Sequence, residues 1–210
     1  MGADEPTANL LLRAYLDLRH RIVDRRIRKK AQHSPVLLAL GAGDVPQHGW
    51  IATDREHLDL LRLEDWQRYF REESVDAMIA EHVWEHLSEA DALGAARNCY
   101  RFLKPGGYLR VAVPDGCHPS PAYLEAVRPM GSGAGSDDHK VLYTHATLAR
   151  LFEQAGFRVE LLEYFDEQGR FHQTEWQPEA GLIERSASFD ARNRRGELNY
   201  TSIILDARKG

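Results

Sequence analysis

Apolar positions along the chain follow two periods. Short apolar runs open at Val36, at Val75 to Ala80, at Tyr108 to Val113, at Phe157 to Phe165 and at Leu198 to Ala207. Each is bounded by Gly, Pro, Ser or Asp, as strands buried on both faces are. Between them the period turns helical. Ser88 is placed to cap a helix, with Asp91 three residues on, and Ala92, Ala95, Ala96, Cys99 and Leu103 share one face. Lys104-Pro105-Gly106-Gly107 should end it. Further helices are predicted over Pro121 to Met130 and Ala146 to Ala155. Near the N-terminus (about 8–30) Leu11, Tyr15, Leu18 and Ile22 fall at helical spacing before a basic RRIRKK end. Strand, helix and strand in alternation predict an α/β fold with parallel pairing and right-handed crossovers.

No repeat or long linker divides residues 1–210, so one domain is expected, with a polar β-hairpin insert over about 166–197. The one shift in composition is GSGAGSDD, Gly131 to Asp138, which reads as a mobile loop beside His139 and Lys140.

The stretch VLLALGAGDVPQHGWIATD carries the first chemistry. Gly41-Ala42-Gly43 follows an apolar run, where missing Cβ atoms let the backbone turn sharply and approach a ligand. Asp54 ends the next run, where a carboxylate can accept both hydroxyls of a ribose. The acid comes sooner than the roughly 20 residues of a dinucleotide fold, and the third glycine is absent.

LALGAG, TD, DAMIAEHVWEHL and RFLKPGGYLRVAVPD together resemble class I S-adenosylmethionine (SAM)-dependent methyltransferases. The likeness runs from about Pro35 to Phe157 and resumes in the last strand. A bacterial group of such enzymes also shares tails similar to YFDEQGRFHQTEW, RSASFDARN and YTSIILDARK. The resemblance implies a Rossmann-like fold with a seven-stranded, mostly parallel sheet and an antiparallel last strand. It implies SAM over Gly41, Ala42 and Gly43, its ribose on Asp54, and Glu81 and His82 near the adenosine. The departure is a turn with two glycines and a shortened following helix.

Composition narrows the partners. The net charge of −5 gives no general polyanion-binding surface, and basic residues near the N-terminus are not interleaved with aromatics. Nucleic acid is therefore not expected. No apolar run approaches 18 residues, so no membrane span is expected. Two cysteines, Cys99 and Cys117, without metal spacing suggest a reducing cytoplasm. The expected partners are a small molecule, or SAM alone, and a second copy in a homodimer.

His82-Val83-Trp84-Glu85-His86 has the H-x-x-E-H spacing of zinc peptidases. No third ligand is marked, and no metal is expected. An attacking group needs a base, for which His139 is best placed, with Asp115, His118 and Asp138 behind it. Aromatic faces near a sulfonium stabilise it by about 0.5–2 kcal/mol per contact; Tyr15, Tyr143, Trp176 and Tyr200 are the candidates. Two alternatives to methyl transfer stand. Some enzymes of this fold cyclise SAM itself into azetidine-2-carboxylate and methylthioadenosine, and Asp138, Trp176, Asn193, Tyr200 and Ser202 offer a polar-aromatic wall for that reaction. The other alternative is a SAM-binding protein without catalysis.

Overall fold

A computed structural model gives the fold, describing residues 18, 20–42, 47–193 and 196–210. Among these, seven strands form one sheet: β1 (Leu37–Leu40), β2 (Ile51–Ala52), β3 (Val75–Glu81), β4 (Leu103–Pro114), β5 (Arg158–Phe165), β6 (Phe171–Gln173) and β7 (Ser202–Arg208). Their order is β2-β1-β3-β4-β7-β5-β6. The pairs from β2 to β4 are parallel, and β7 is antiparallel to both its neighbours. The antiparallel last strand is thus present. The insert adds a second reversed strand, because β6 folds back on β5 as a hairpin. Only this first part of the insert is a hairpin. The rest crosses the sheet as irregular chain with one 3-10 turn, Pro178–Ala180.

The helices are α1 (residues 20–30), α2 (Leu63–Tyr69), α3 (Glu89–Phe102), α4 (Pro121–Val127) and α5 (His145–Gln154). Ser88 caps α3 as its spacing predicts, accepting from the Asp91 amide at 3.3 Å while its hydroxyl donates to the Asp91 carboxylate at 2.7 Å. The helix stops at Phe102, and β4 begins at once. Gly106 and Gly107 therefore lie inside β4 as a bulge, where a Cβ on Gly107 would sit 2.8 Å from the Asp76 carbonyl. The described part of the N-terminal helix packs rather than projects. Ile27 is buried, Tyr69 donates to Asp24, and Lys30 donates to the Trp50 carbonyl at 3.0 Å. Leu11 and Tyr15 lie outside the described residues.

Side chains alternate across the sheet with period two. Leu38, Leu40, Met78, Leu109, Val111 and Leu205 point to one face, where α3 and α5 cover them. Ala39, Ala77, Ile79, Ala112 and Ile204 point to the other, where Ile183 and Trp176 of the insert meet them. No helix of the described residues is long and apolar enough to cross a membrane.

The glycine-rich segment after α4 is pinned, which corrects its reading as a mobile loop. The amides of Gly131, Ser132 and Gly133 donate to the carbonyls of Arg128, Glu125 and Ala126 in and just after α4. A Cβ on Gly131 or Gly133 would sit 2.5 or 2.6 Å from a carbonyl oxygen of that helix. Glycine is present because backbone meets backbone there.

Candidate cofactor site

The parallel strands end on one edge, and a cavity of about 880 Å³ opens there. Ligand sites of roughly 300–1,000 Å³ are usual for small molecules. Its wall combines Gly41 and Ala42 after β1, Glu81 and His82 at the end of β3, and Tyr123 and Val127 of α4. The loop from Gly133 to His139 and the tail residues Arg185, Arg192 and Tyr200 complete it.

The glycine turn has the geometry its sequence requires. Gly41 has φ +57°, and a Cβ there would lie 2.7 Å from Val83 Cγ2. The Ala42 amide donates to the Thr53 carbonyl at 3.0 Å, and Thr53 donates its amide and hydroxyl to Ala39. This stitch fixes Asp54, the next residue, beside the glycine turn. Asp54 is exposed and stands just outside the cavity wall. Gly43 lies outside the described residues. The surroundings fit SAM: a backbone with no Cβ at the turn, an acid at the neighbouring strand end, and room for a nucleoside with its amino-acid tail.

Glu81 has a role the sequence did not reveal. Its two carboxylate oxygens accept the amides of Glu184 and Arg185, at 3.1 and 2.9 Å, and so clasp the tail over the cavity. His82 takes a left-handed φ of +55°, a conformation that side chains other than glycine adopt at a cost of order 1–3 kcal/mol and that concentrates at functional positions. Its Nε2 lies 3.0 Å from Ser202 Oγ. The Ser202 hydroxyl spends its hydrogen on the Arg185 carbonyl at 2.7 Å, so Nε2 is the donor. Ser202 therefore stands one bond behind the wall. The Tyr200 ring faces His82 at 6.2 Å between centroids and carries the Arg192 guanidinium 3.4 Å above it. Burial pushes the Tyr200 phenol up, against the pull of Arg192.

On the opposite wall lie Glu85, His86 and His139. Glu85 is fully buried, and neither carboxylate oxygen has a hydrogen-bond partner. His82 Nδ1 is 2.9 Å from Glu85 Oε1 but out of line for a hydrogen bond. The 3-10 turn Trp84–His86 turns His82 and His86 to different tasks, so they do not share a helical face. Asp138 is exposed, with Oδ2 3.3 Å from His86 Nδ1.

Other candidates are engaged elsewhere. Trp176 is not part of the wall; it donates to the buried Glu163 at 2.9 Å and stacks over Arg110. Asn193 is consumed by the backbone, donating to the carbonyls of Ser186, Ala187 and Tyr200 and accepting the Tyr200 amide. Tyr143 is buried outside the wall with no partner for its hydroxyl, and burial and then Glu85 push its ionisation up. Asp115 accepts the amides of Cys117 and Phe165. His118 is wedged between Tyr123 and Phe165, where burial pushes its pKa down. Sequence reasoning missed Glu85, Arg185 and Arg192. Glu85 was visible only as the middle of a motif whose histidines drew the attention.

The chain matches a family described as "Methyltransferase domain" over residues 29–162, more than half its length. A solved SAM-dependent methyltransferase of Thermotoga maritima superposes with a TM-score of 0.52 at 15% identity, covering 97% of this chain and 96% of its own. One of Archaeoglobus fulgidus gives 0.49 at 16% identity, covering 90% and 94%. No curated protein matches significantly. The family match, with the glycine turn and strand order above, makes SAM the cofactor. The chain belongs to the methyltransferase-domain family, within the class I SAM-dependent methyltransferase superfamily.

Proposed function

We propose that this methyltransferase acts on a small molecule, which enters the cavity beside Glu85, His86 and His139. The observation that carries this reading is a cavity of about 880 Å³, the size of small-molecule sites, at the ends of the parallel strands. Strand ends, α4, the loop from Gly133 to His139 and the clasped tail all contribute wall. The net charge of −5 speaks against a nucleic-acid acceptor.

When bound, SAM supplies an electrophilic methyl group. Gly41 and Ala42 would hold its backbone-facing side, Asp54 its ribose, and the wall at Glu81 and His82 its adenosine end. Tyr200 lines the cavity with the Arg192 guanidinium already seated on its ring. The acceptor must lose a proton, and His139 is suited to take it. Its Nδ1 lies 2.7 Å from the Val127 carbonyl, which can only accept. Nδ1 therefore carries the hydrogen, and Nε2 keeps a lone pair. Alignment and exclusion of water are the remaining tasks, which the surrounding wall serves.

Cyclisation of SAM has less support. Of its expected polar-aromatic wall, Trp176 and Asn193 are bound to Glu163 and to backbone. Incubating the pure protein with SAM alone separates the readings by mass spectrometry. Methylthioadenosine with azetidine-2-carboxylate would replace methyl transfer. S-adenosylhomocysteine formed only when a small acceptor is added supports it. Tight SAM binding without turnover under any acceptor points to a binding protein.

A further inference from the structure

We infer that Glu85, His86 and His139 form a binding site for one divalent transition-metal ion, zinc being the best match, in the wall of the SAM cavity. The H-x-x-E-H motif has metal-ligand spacing but supplies no third ligand of its own. The fold supplies that ligand from the loop after α4. Ligand atoms of the three side chains lie within 4.8 Å of one another. At bond lengths near 2.1 Å the ligands of a tetrahedral zinc ion stand about 3.4 Å apart, so rotamer shifts that bring the ligand atoms closer by up to about 1.4 Å close the triad.

Three further observations point to a missing cation. Both oxygens of the fully buried Glu85 carboxylate lack a hydrogen bond, and His82 Nδ1, 2.9 Å from Oε1, is out of line to supply one. An ionised carboxylate left so is costly unless a cation meets it. His86 Nδ1 is also shut off from water without a hydrogen bond, and Asp138 Oδ2 stands 3.3 Å from it. The third observation is the orientation of His139. Its Nδ1–H is spent on the Val127 carbonyl, the contact that fixes the tautomer and aims the lone pair of a metal-bound histidine. Two imidazoles and one carboxylate favour zinc or iron(II) over magnesium or calcium, which prefer all-oxygen sites. Three protein ligands leave a position open toward the cavity.

That open position suits an acceptor hydroxyl, and this use of the site rests on the methyl-transfer reading. A bound cation lowers the pKa of the oxygen it holds. The hydroxyl proton leaves to solvent beside the exposed Asp138. The oxygen then bonds the methyl carbon while the carbon–sulfur bond breaks, leaving a neutral thioether. In this form His139 is a ligand and no longer the base.

The test measures zinc directly, by equilibrium dialysis with elemental analysis, on chelator-stripped protein. Wild type should bind one zinc ion per chain. His139→Ala and the near-isosteric Glu85→Gln should each weaken binding by at least roughly tenfold, with circular dichroism unchanged. Absence of stoichiometric zinc binding by wild type, or wild-type affinity in His139→Ala, overturns the site and leaves His139 as a base. Should either variant lose its fold, cobalt(II) added to wild type still decides: intense visible absorption supports imidazole ligation, and a spectrum like aqueous cobalt overturns it. Zinc binding with turnover that survives removal of the metal retains the site but overturns its role in ionising the acceptor.

Discussion

The two faces of the sheet are held by different chemistry. On the helix face, Leu109, Val111 and Leu205 meet Ala92, Ala96, Cys99 and Phe102 of α3 and Leu148 and Phe152 of α5. A helix satisfies its own backbone, so this interface needs only shape and apolar area. The other face is covered by the irregular insert, whose backbone groups need partners. Arg110 donates to the carbonyls of Gln177 and Gly181, and Tyr108 donates to that of Ala180. Glu163 accepts from Gln173, Trp176 and the Ala187 amide. Arg110 is in turn neutralised by Asp206, its partner across β4 and β7, through two hydrogen bonds of 2.8 and 3.1 Å. Covering a sheet without helices thus requires buried ions to organise the covering chain.

The sharpest test of that contrast is Arg110→Met. It leaves Asp206, which is 2% exposed, with Arg208 at 3.2 Å as its remaining cation, and it takes from the Gly181 carbonyl its Arg110 donor, while the Gln177 carbonyl keeps the Ala180 amide. A loss of about 3–5 kcal/mol is expected in denaturant unfolding. Adding Asp206→Leu should restore much of it, since an apolar pair needs no counter-charge. A single variant within about 1 kcal/mol of wild type would erase the distinction between the faces. On the helix face, Leu205→Ala should cost about 2–5 kcal/mol through the cavity it leaves. No polar second substitution should rescue it.

The same contrast explains what was legible in the sequence. Helix-face elements announce themselves by period: Ser88, the alanine stripe of α3 and the run at Val75 all stand where their spacing puts them. Gly41 and its turn were legible because few residues tolerate that backbone. The insert was not, because its order comes from single long-range bonds such as Glu81 to Glu184 and Arg185. Such bonds leave no period. Trp176 was expected beside the sulfonium for its chemistry, yet the residue that decides its position is Glu163. The triad of Glu85, His86 and His139 was hidden for the same reason, since nothing local links the loop after α4 to the end of β3.

The cavity belongs to the strand ends, not to either face, and Asp54 tests this. Asp54→Ala should weaken SAM binding by about 1.5–3 kcal/mol in calorimetry, the usual loss for a charged hydrogen bond. Unchanged SAM affinity would remove it from the ribose position. Trp176→Phe probes the insert with a smaller change. It keeps a ring over Arg110 but removes the donor to Glu163, leaving a buried oxygen underfilled. Stability should fall by about 1–3 kcal/mol, with turnover per folded molecule unchanged. A fall in turnover with full stability would return Trp176 to the active site.

The smallest effect concerns the turn that starts the insert. Asp166 accepts from His172 Nε2 and from the Arg170 side chain, each at 2.8 Å, and from the amides of Gln168 and Arg170. His172 first, then the Arg170 amide and side chain, hold its carboxyl well below the ordinary carboxylate range. A depressed native pKa means that the unfolded chain takes up the proton first as pH falls. The clasp's contribution is therefore complete above pH about 4 and is lost progressively below it, toward the depressed native value. Wild type should lose stability over that acid window more steeply than Asp166→Asn, whose side chain no longer titrates. At neutral pH the variant should show faster amide exchange confined to the turn between β5 and β6, because the clasp closes only that hairpin. If the two proteins lost stability in parallel on acidification, the turn would be held by its β-bridges alone, and the insert would owe less to charge than the opposite reading of its central ion pair requires.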